Sequence, residues 1–201
     1  MNRELSGSLG FVCLIGGVLF PMLLLVLSSM LGSGSSDILT GVARTVVLVT
    51  FIFFLAGVLG VYLAQQDALG TLGKAAAATF AAGLVLTVIE GALSATSIVL
   101  PVDIPVGQAA FALVALGAIS FGIATARADV LVHGRSGGLL LAAALPLTFV
   151  GGIILNIVGI QSAVISALII GVPFGAAWVV LGLDLLTVSD YQEVGEQPGP
   201  S

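Results

Sequence analysis

Charged residues are scarce in this chain of 201 residues, of which only 7% are Asp, Glu, Lys or Arg. A water-soluble domain carries about a quarter charged residues, which cover its surface. Hydrophobic residues instead make up 59% of this chain, and the mean hydropathy is +1.26. The sequence therefore predicts an integral membrane protein whose outer surface faces a lipid bilayer.

Cysteine, histidine and lysine each occur once, as Cys13, His133 and Lys74. One cysteine cannot form an internal disulfide or a cysteine-pair redox centre. One histidine excludes bis-histidine haem ligation and histidine-rich zinc sites within a subunit. The net charge of −5 argues against a nucleic-acid partner, because phosphate binding needs clustered Lys and Arg. We therefore expect no metal, no cofactor and no nucleic acid.

Six apolar stretches fill most of the chain, and a spanning helix needs about 20 such residues. The 48 uncharged residues between Arg135 and Asp184 are too many for one crossing, so they should turn back at the GIQS segment, residues 159–162. The sequence predicts an all-α bundle of six transmembrane helices, forming one domain over residues 1–186, and an acidic, disordered tail over 187–201. The predicted spans are residues 9–31, 42–64, 74–100, 106–126, 137–160 and 163–186.

The placement of Lys and Arg predicts the orientation of these spans. With the N-terminus in the cytoplasm, Arg3, Lys74, Arg127 and Arg135 lie on the inner side and only Arg44 on the outer side. Basic residues concentrate in cytoplasmic loops. We therefore expect a multi-pass protein of the cell membrane with both termini, and the tail, in the cytoplasm.

Glu90 is the acidic residue that falls deepest in a predicted span, about three residues beyond the midpoint of span three. A carboxyl group there costs ~2.5 kcal/mol or more on insertion scales, so it should face the bundle interior. It belongs to a stripe of small and polar residues at helical spacing. The stripe could line a cavity or ion path, or it could hydrogen-bond to neighbouring helices in a dry bundle. Its members are Thr79, Gly83, Thr87, Glu90, Ser94 and Ser97.

Further polar residues are predicted near Glu90 in the outer half of the membrane. Arg44 begins span two and could approach Glu90, or it could extend to the outer headgroups. Asp184, near the inner end of span six, is expected to reach the cytoplasmic interface instead. The sequence thus predicts one outward-facing polar pocket, with no catalytic residues, formed by Glu90, Arg44, Asn156, Gln108, Thr87 and Ser94.

Span six carries Ala167, Gly171 and Gly175 at four-residue spacing. Small residues at this spacing allow the backbones of membrane helices to approach closely. The face could pack against another helix of the same chain. It could also bind a second copy or a partner in a membrane complex.

The segment Phe121–Leu141 (FGIATARADVLVHGRSGGLLL) resembles a helix-end motif of uncharacterised small multi-pass membrane proteins of bacteria and archaea. The close of span six, Ala176–Leu186 (AAWVVLGLDLL), is similar to their final helix. This resemblance implies a multi-pass fold and no particular activity.

The sequence favours a small non-enzymatic, transporter-like protein with a polar interior around Glu90. The alternative is a structural or regulatory subunit of a larger membrane complex. A lipid-modifying enzyme is disfavoured, because the only histidine lies in a predicted loop, away from any nucleophile in the membrane. Intramembrane aspartyl chemistry needs two paired acids, whereas Glu90 is deep and Asp184 lies near the opposite face.

Overall fold

Six long helices make up the described part of the chain in a computed structural model that covers residues 3–33, 37–96, 106–159 and 162–195. All six meet the length and hydropathy needed to cross a membrane, which confirms the predicted all-α, six-span fold. The helices are α1 (Arg3–Ser33), α2 (Asp37–Gln65), α3 (Thr71–Thr96), α4 (Val106–Ala128), α5 (Gly134–Val158) and α6 (Ala163–Gly195).

The turn between α5 and α6 lies where the uncharged stretch was predicted to reverse. Gly159 follows α5 in the left-handed backbone conformation, with φ of 75°, and its N–H is directed at the carbonyl oxygens of Leu155 and Asn156. Glycine reaches this conformation without the steric penalty that a Cβ brings, and it is a common residue just after a helix. The position of this turn is therefore confirmed.

The end of α6 differs from the prediction. The helix continues to Gly195, whereas the sequence predicted a disordered tail from Thr187. The segment from Thr187 to Val194 contains no proline or glycine. Because propagation of an existing helix avoids the unfavourable nucleation step, these polar residues extend it. Residues 196–201 lie outside the described ranges.

The helices form a closed ring in chain order, in which α1 packs against α2 and also against α6. One end of the bundle holds the α2–α3 and α4–α5 connections and the side chains of Lys74, Arg127 and Arg135, and we call it the basic end. The opposite end, toward which Glu90 lies, is the Glu90 end. Large apolar side chains remain exposed around the ring, including Phe11 and Leu116, as expected for a surface that contacts lipid.

Glycines hold α1 and α6 together in antiparallel register. A Cβ on Gly17 would lie 2.7 Å from the carbonyl oxygen of Gly175, and one on Gly182 would lie 2.9 Å from that of Gly10. Main chain therefore contacts main chain along this seam. Such close approach is how membrane helices gain packing energy without a hydrophobic driving force.

The small-residue face of α6 is used inside the molecule. A Cβ on Gly171 would lie 2.8 Å from the Cα of Pro21, and Gly175 packs on Gly17 and Pro21. Ala167 is buried as well. At Gly171 and Gly175 the face packs against α1 of the same chain, which is one of the two predicted alternatives, and its use by a second copy or a partner stays a prediction.

Aromatic rings fill the centre of the ring of helices. Trp178 of α6 stacks on Phe54 of α2, with ring centroids 5.3 Å apart, and on Phe80 of α3 at 5.9 Å. Phe121 of α4 lies 6.3 Å from Phe80, and Phe174 packs edge-on to Phe54. All of these side chains are buried. The middle of the bundle is thus a packed apolar core that separates its two ends.

Candidate functional site

Glu90 lies nearer the end of its helix than the sequence predicted. Because α3 runs from Thr71 to Thr96, its midpoint is close to Leu84, and Glu90 is ~9 Å beyond it at ~1.5 Å per residue. The Glu90 carboxyl group is half-buried and packs on Gly107, in the first turn of α4. Negative charge is favourable beside the N-terminus of a helix. The α3–α4 contact therefore accommodates this carboxyl group without a cavity in the middle of the bundle.

The other members of the predicted pocket take up separate positions. Gln108 is exposed next to Gly107, and the Thr87 hydroxyl donates to the carbonyl oxygen of Gly83 in its own helix at 2.9 Å. Within the described ranges, no hydrogen bond or ion pair joins Glu90 to Gln108 or Asn156. The side chains of Arg44 and Ser94 lie outside the described residues, so a shared pocket stays a prediction.

Asn156 lies on the outward face of α5. Together with Thr148 and Gly152 it lines a shallow depression of about 380 Å³, and all of the lining residues belong to α5. A Cβ on Gly152 would meet no atom within 4 Å. Asn156, which the sequence placed in a pocket with Glu90, thus lies on a surface of α5 that no other described helix covers.

The basic end contains a buried acid that pairs with the only histidine. The Asp184 side chain has no exposed surface, and its Oδ1 accepts a hydrogen bond from the His133 main-chain N–H at 2.9 Å. The same oxygen lies 2.9 Å from Nδ1 of the His133 ring, which is 62% exposed. Asp184, which was expected to reach the cytoplasmic interface, is buried at the basic end, and its position relative to that interface stays a prediction. His133, which directly precedes α5, reaches in to the acid and ties α6 to α5.

Gln65 and Thr125 form a second buried polar pair at the same end. Gln65 is the last residue of α2 and Thr125 lies in the last turn of α4. The Gln65 Nε2 amide donates to the Thr125 hydroxyl at 2.8 Å. This hydrogen bond links two helices that lie on opposite sides of α3, so it braces the ring across its interior.

Among the described residues, three buried side-chain polar atoms have no hydrogen-bond partner: Oε1 of Gln65 and Oδ2 of Asp184 at the basic end, and Nε1 of Trp178 in the aromatic core. An unsatisfied buried polar group costs about 1–3 kcal/mol, so such groups in a native protein commonly mark a bound water or ion. In the part of the chain that the structure describes, no cluster of three or more His, Cys, Asp or Glu residues could hold a metal ion. The unpartnered carboxylate oxygen of Asp184 can bind a proton, a water molecule or a weakly held cation.

The His133–Asp184 pair was not predicted from the sequence, because 51 residues separate its members. One signal was present: Asp184 interrupts an otherwise apolar span, and an acid in that position needs a partner. The preference for Glu90 followed from its predicted depth and from the stripe of small and polar residues to which it belongs.

Comparisons with protein-family models, curated proteins and solved structures found no match to this chain. The resemblance to small multi-pass proteins therefore stays a prediction.

Proposed function

We propose that this protein is a non-enzymatic structural subunit of the cell membrane, with both termini in the cytoplasm, that associates with a second copy through the outward face of α5. The orientation rests on the basic residues: Lys74, Arg127 and Arg135 are exposed at one end of the bundle. Such residues favour the cytoplasmic side.

The α5 surface is the observation that carries this proposal. Gly152 leaves a notch in an apolar surface, and the exposed amide of Asn156 lies one turn further along the helix. In hydrocarbon, an amide gains by bonding to another helix, and a glycine lets that helix approach. In a two-fold dimer with α5 against α5, each Asn156 faces its counterpart, so each amide can donate to and accept from the other.

The packed centre of the bundle also favours a structural role over a conduit around Glu90. Phe54, Phe80 and Trp178 occupy the bundle axis, and a polar path from Glu90 to the basic end has to displace them. Glu90 itself is accommodated at the α3–α4 contact.

Energy transfer between donor- and acceptor-labelled copies in liposomes tests the association. We expect transfer for the natural protein and its loss in a Gly152→Leu, Asn156→Leu double variant. The matched control is Ala82→Leu, which enlarges another exposed small residue on α3. Transfer that survives the double variant, or a natural protein that is monomeric at all densities, would refute the proposal.

A second candidate function is proton or cation transport centred on Asp184 rather than Glu90. The buried Asp184 Oδ2 without a partner is the observation in its favour. Proton flux into liposomes containing a pH-sensitive dye distinguishes the two acids. Flux that is lost in Asp184→Asn and retained in Glu90→Gln supports this candidate, whereas no flux above protein-free liposomes rules it out.

A further inference from the structure

A groove opens to the membrane between α2 and α3. Its volume is about 480 Å³, and its walls are apolar side chains that include Ile52 and Leu59 of α2 and Ala78 and Ala81 of α3. The alanines leave this recess because their side chains are short. The two helices do not approach closely enough here to close it.

The length of the groove matches one leaflet of a bilayer. It extends along α2 from Ile52 to Tyr62, which is ~15 Å at ~1.5 Å per residue. This is half the ~30 Å thickness of the hydrocarbon region. A single acyl chain that enters from the basic end therefore fits along it.

Polar groups line the groove where it reaches the basic end. Tyr62 of α2 and Lys74 of α3 both belong to its wall, and Lys74 is exposed. Within the described ranges, no carboxylate pairs with the Lys74 ammonium group. The Lys74 ammonium group and the Tyr62 hydroxyl lie at headgroup depth, where they can contact the phosphate of a lipid. The apolar groove below them can hold the acyl chain of the same molecule.

We propose that this groove is a binding site for an anionic glycerophospholipid, whose acyl chain lies between α2 and α3 and whose phosphate group contacts Lys74. An apolar transmembrane helix in the groove would leave Lys74 without a counter-charge, whereas the phosphate of an anionic lipid supplies one, so a lipid is the better occupant. The site lies on different helices from the α5 surface, so it does not depend on the proposed function.

Native mass spectrometry of the full chain, released from detergent micelles, tests this site with dioleoyl phosphatidylglycerol and dioleoyl phosphatidylcholine as probes. We expect about five-fold preferential retention of phosphatidylglycerol, the effect of one basic residue at a membrane surface. Lys74→Gln should abolish the preference without abolishing binding. Ala78→Phe, which fills the groove, should abolish retention of both lipids.

Two control variants distinguish lipid binding in the groove from a general attraction of anionic lipids to the basic end. Arg135→Gln removes an exposed charge at the same end, and Ala82→Phe adds the same bulk on α3 outside the groove. Both should retain the preference of the natural protein. The proposal is overturned if the two lipids bind equally, if Arg135→Gln lowers the preference as much as Lys74→Gln, or if Ala78→Phe leaves retention unchanged. Lys74→Gln changes only an exposed side chain, so it tests the site even if Ala78→Phe fails to fold.

Discussion

The α1–α6 seam and the α2–α3 seam join neighbouring helices in the same ring by different means. Along α1–α6, glycines on both helices bring main chain against main chain. Along α2–α3, the contacts are made by side chains, as where Leu48 packs on Gly91, and a groove remains. The difference is one of residue size: paired glycines remove the Cβ atoms from between two helices, whereas alanines on a single helix leave a recess.

Trp178 compensates for the weak α2–α3 seam, because it touches Phe54 on one of these helices and Phe80 on the other. Trp178→Ala should therefore have the largest effect, a loss of about 4 kcal/mol in the free energy of unfolding. Steric trapping in bicelles measures this quantity. Trp178→Phe should lose much less, because it keeps an aromatic ring and removes the Nε1 donor that has no partner. Equal losses in the two variants would contradict the bracing role.

Gly17→Ala tests the α1–α6 seam with a single methyl group. The added Cβ meets main-chain atoms of Gly175 and Val179, so the helices must separate, and we expect a loss of about 3 kcal/mol in the free energy of unfolding. This loss must exceed the gain of about 1 kcal/mol that alanine brings to a helix. Gly152→Ala is the matched control, since its Cβ meets nothing within 4 Å, and it should be neutral or stabilising in the monomer. A neutral Gly17→Ala variant would disprove the close contact.

Substitutions at the α5–α6 seam should have effects on stability of intermediate size. A side-chain hydrogen bond at the basic end supports this seam. His133→Ala removes the ring nitrogen from Asp184 but keeps the main-chain N–H bond, so we expect a loss of about 1 kcal/mol. Chemical denaturation in mixed micelles can resolve a difference of this size. Arg135→Ala, an exposed neighbour, should change stability by no more than about 0.5 kcal/mol. If the two variants behave alike, the His133–Asp184 pair does not hold the helices together.

The α2–α3 groove should accept a larger side chain, so a substitution there should change the free energy of unfolding least. Ala78→Leu places a larger side chain in open space, so the free energy of unfolding should change by about 0.5 kcal/mol or less. Steric trapping in bicelles, as for Trp178→Ala, measures this change and that of Gly17→Ala. A loss as large as that of Gly17→Ala would mean that α2 and α3 are packed as tightly as α1 and α6.

Features that depend on local composition could be predicted from the sequence. The six spans follow from apolar length, and the turn at Gly159 follows from a stretch too long for one crossing. Features that depend on which helices meet could not. The stripe of Gly171 and Gly175 is visible in one helix, but its partner is identified only in the folded structure. A matching seven-residue spacing, of Gly10 with Gly17 in α1 and Gly175 with Gly182 in α6, was the available signal.

The candidate sites, too, depend on contacts between helices that the sequence does not specify. Glu90 lies farther from the midpoint of its helix than the sequence predicted, because α3 covers Thr71–Thr96 and the predicted span covered residues 74–100. Asp184 was assigned to the interface because it lies near the inner end of span six, whereas its side chain is buried and its partner His133 comes from the loop before α5. Long-range pairing of buried polar groups cannot be read from a single helix.

Photolabelling of the natural protein in liposomes tests the contrast between the two seams most directly. The probe is phosphatidylglycerol with a diazirine on its acyl chain, and mass spectrometry locates the modified residues. We expect labels to concentrate on the groove, at residues such as Leu59 and Ala78, and to be absent from Gly17 and Gly175. Labels on those glycines, or equal labelling of every outward face without enrichment in the groove, would contradict the structure described above.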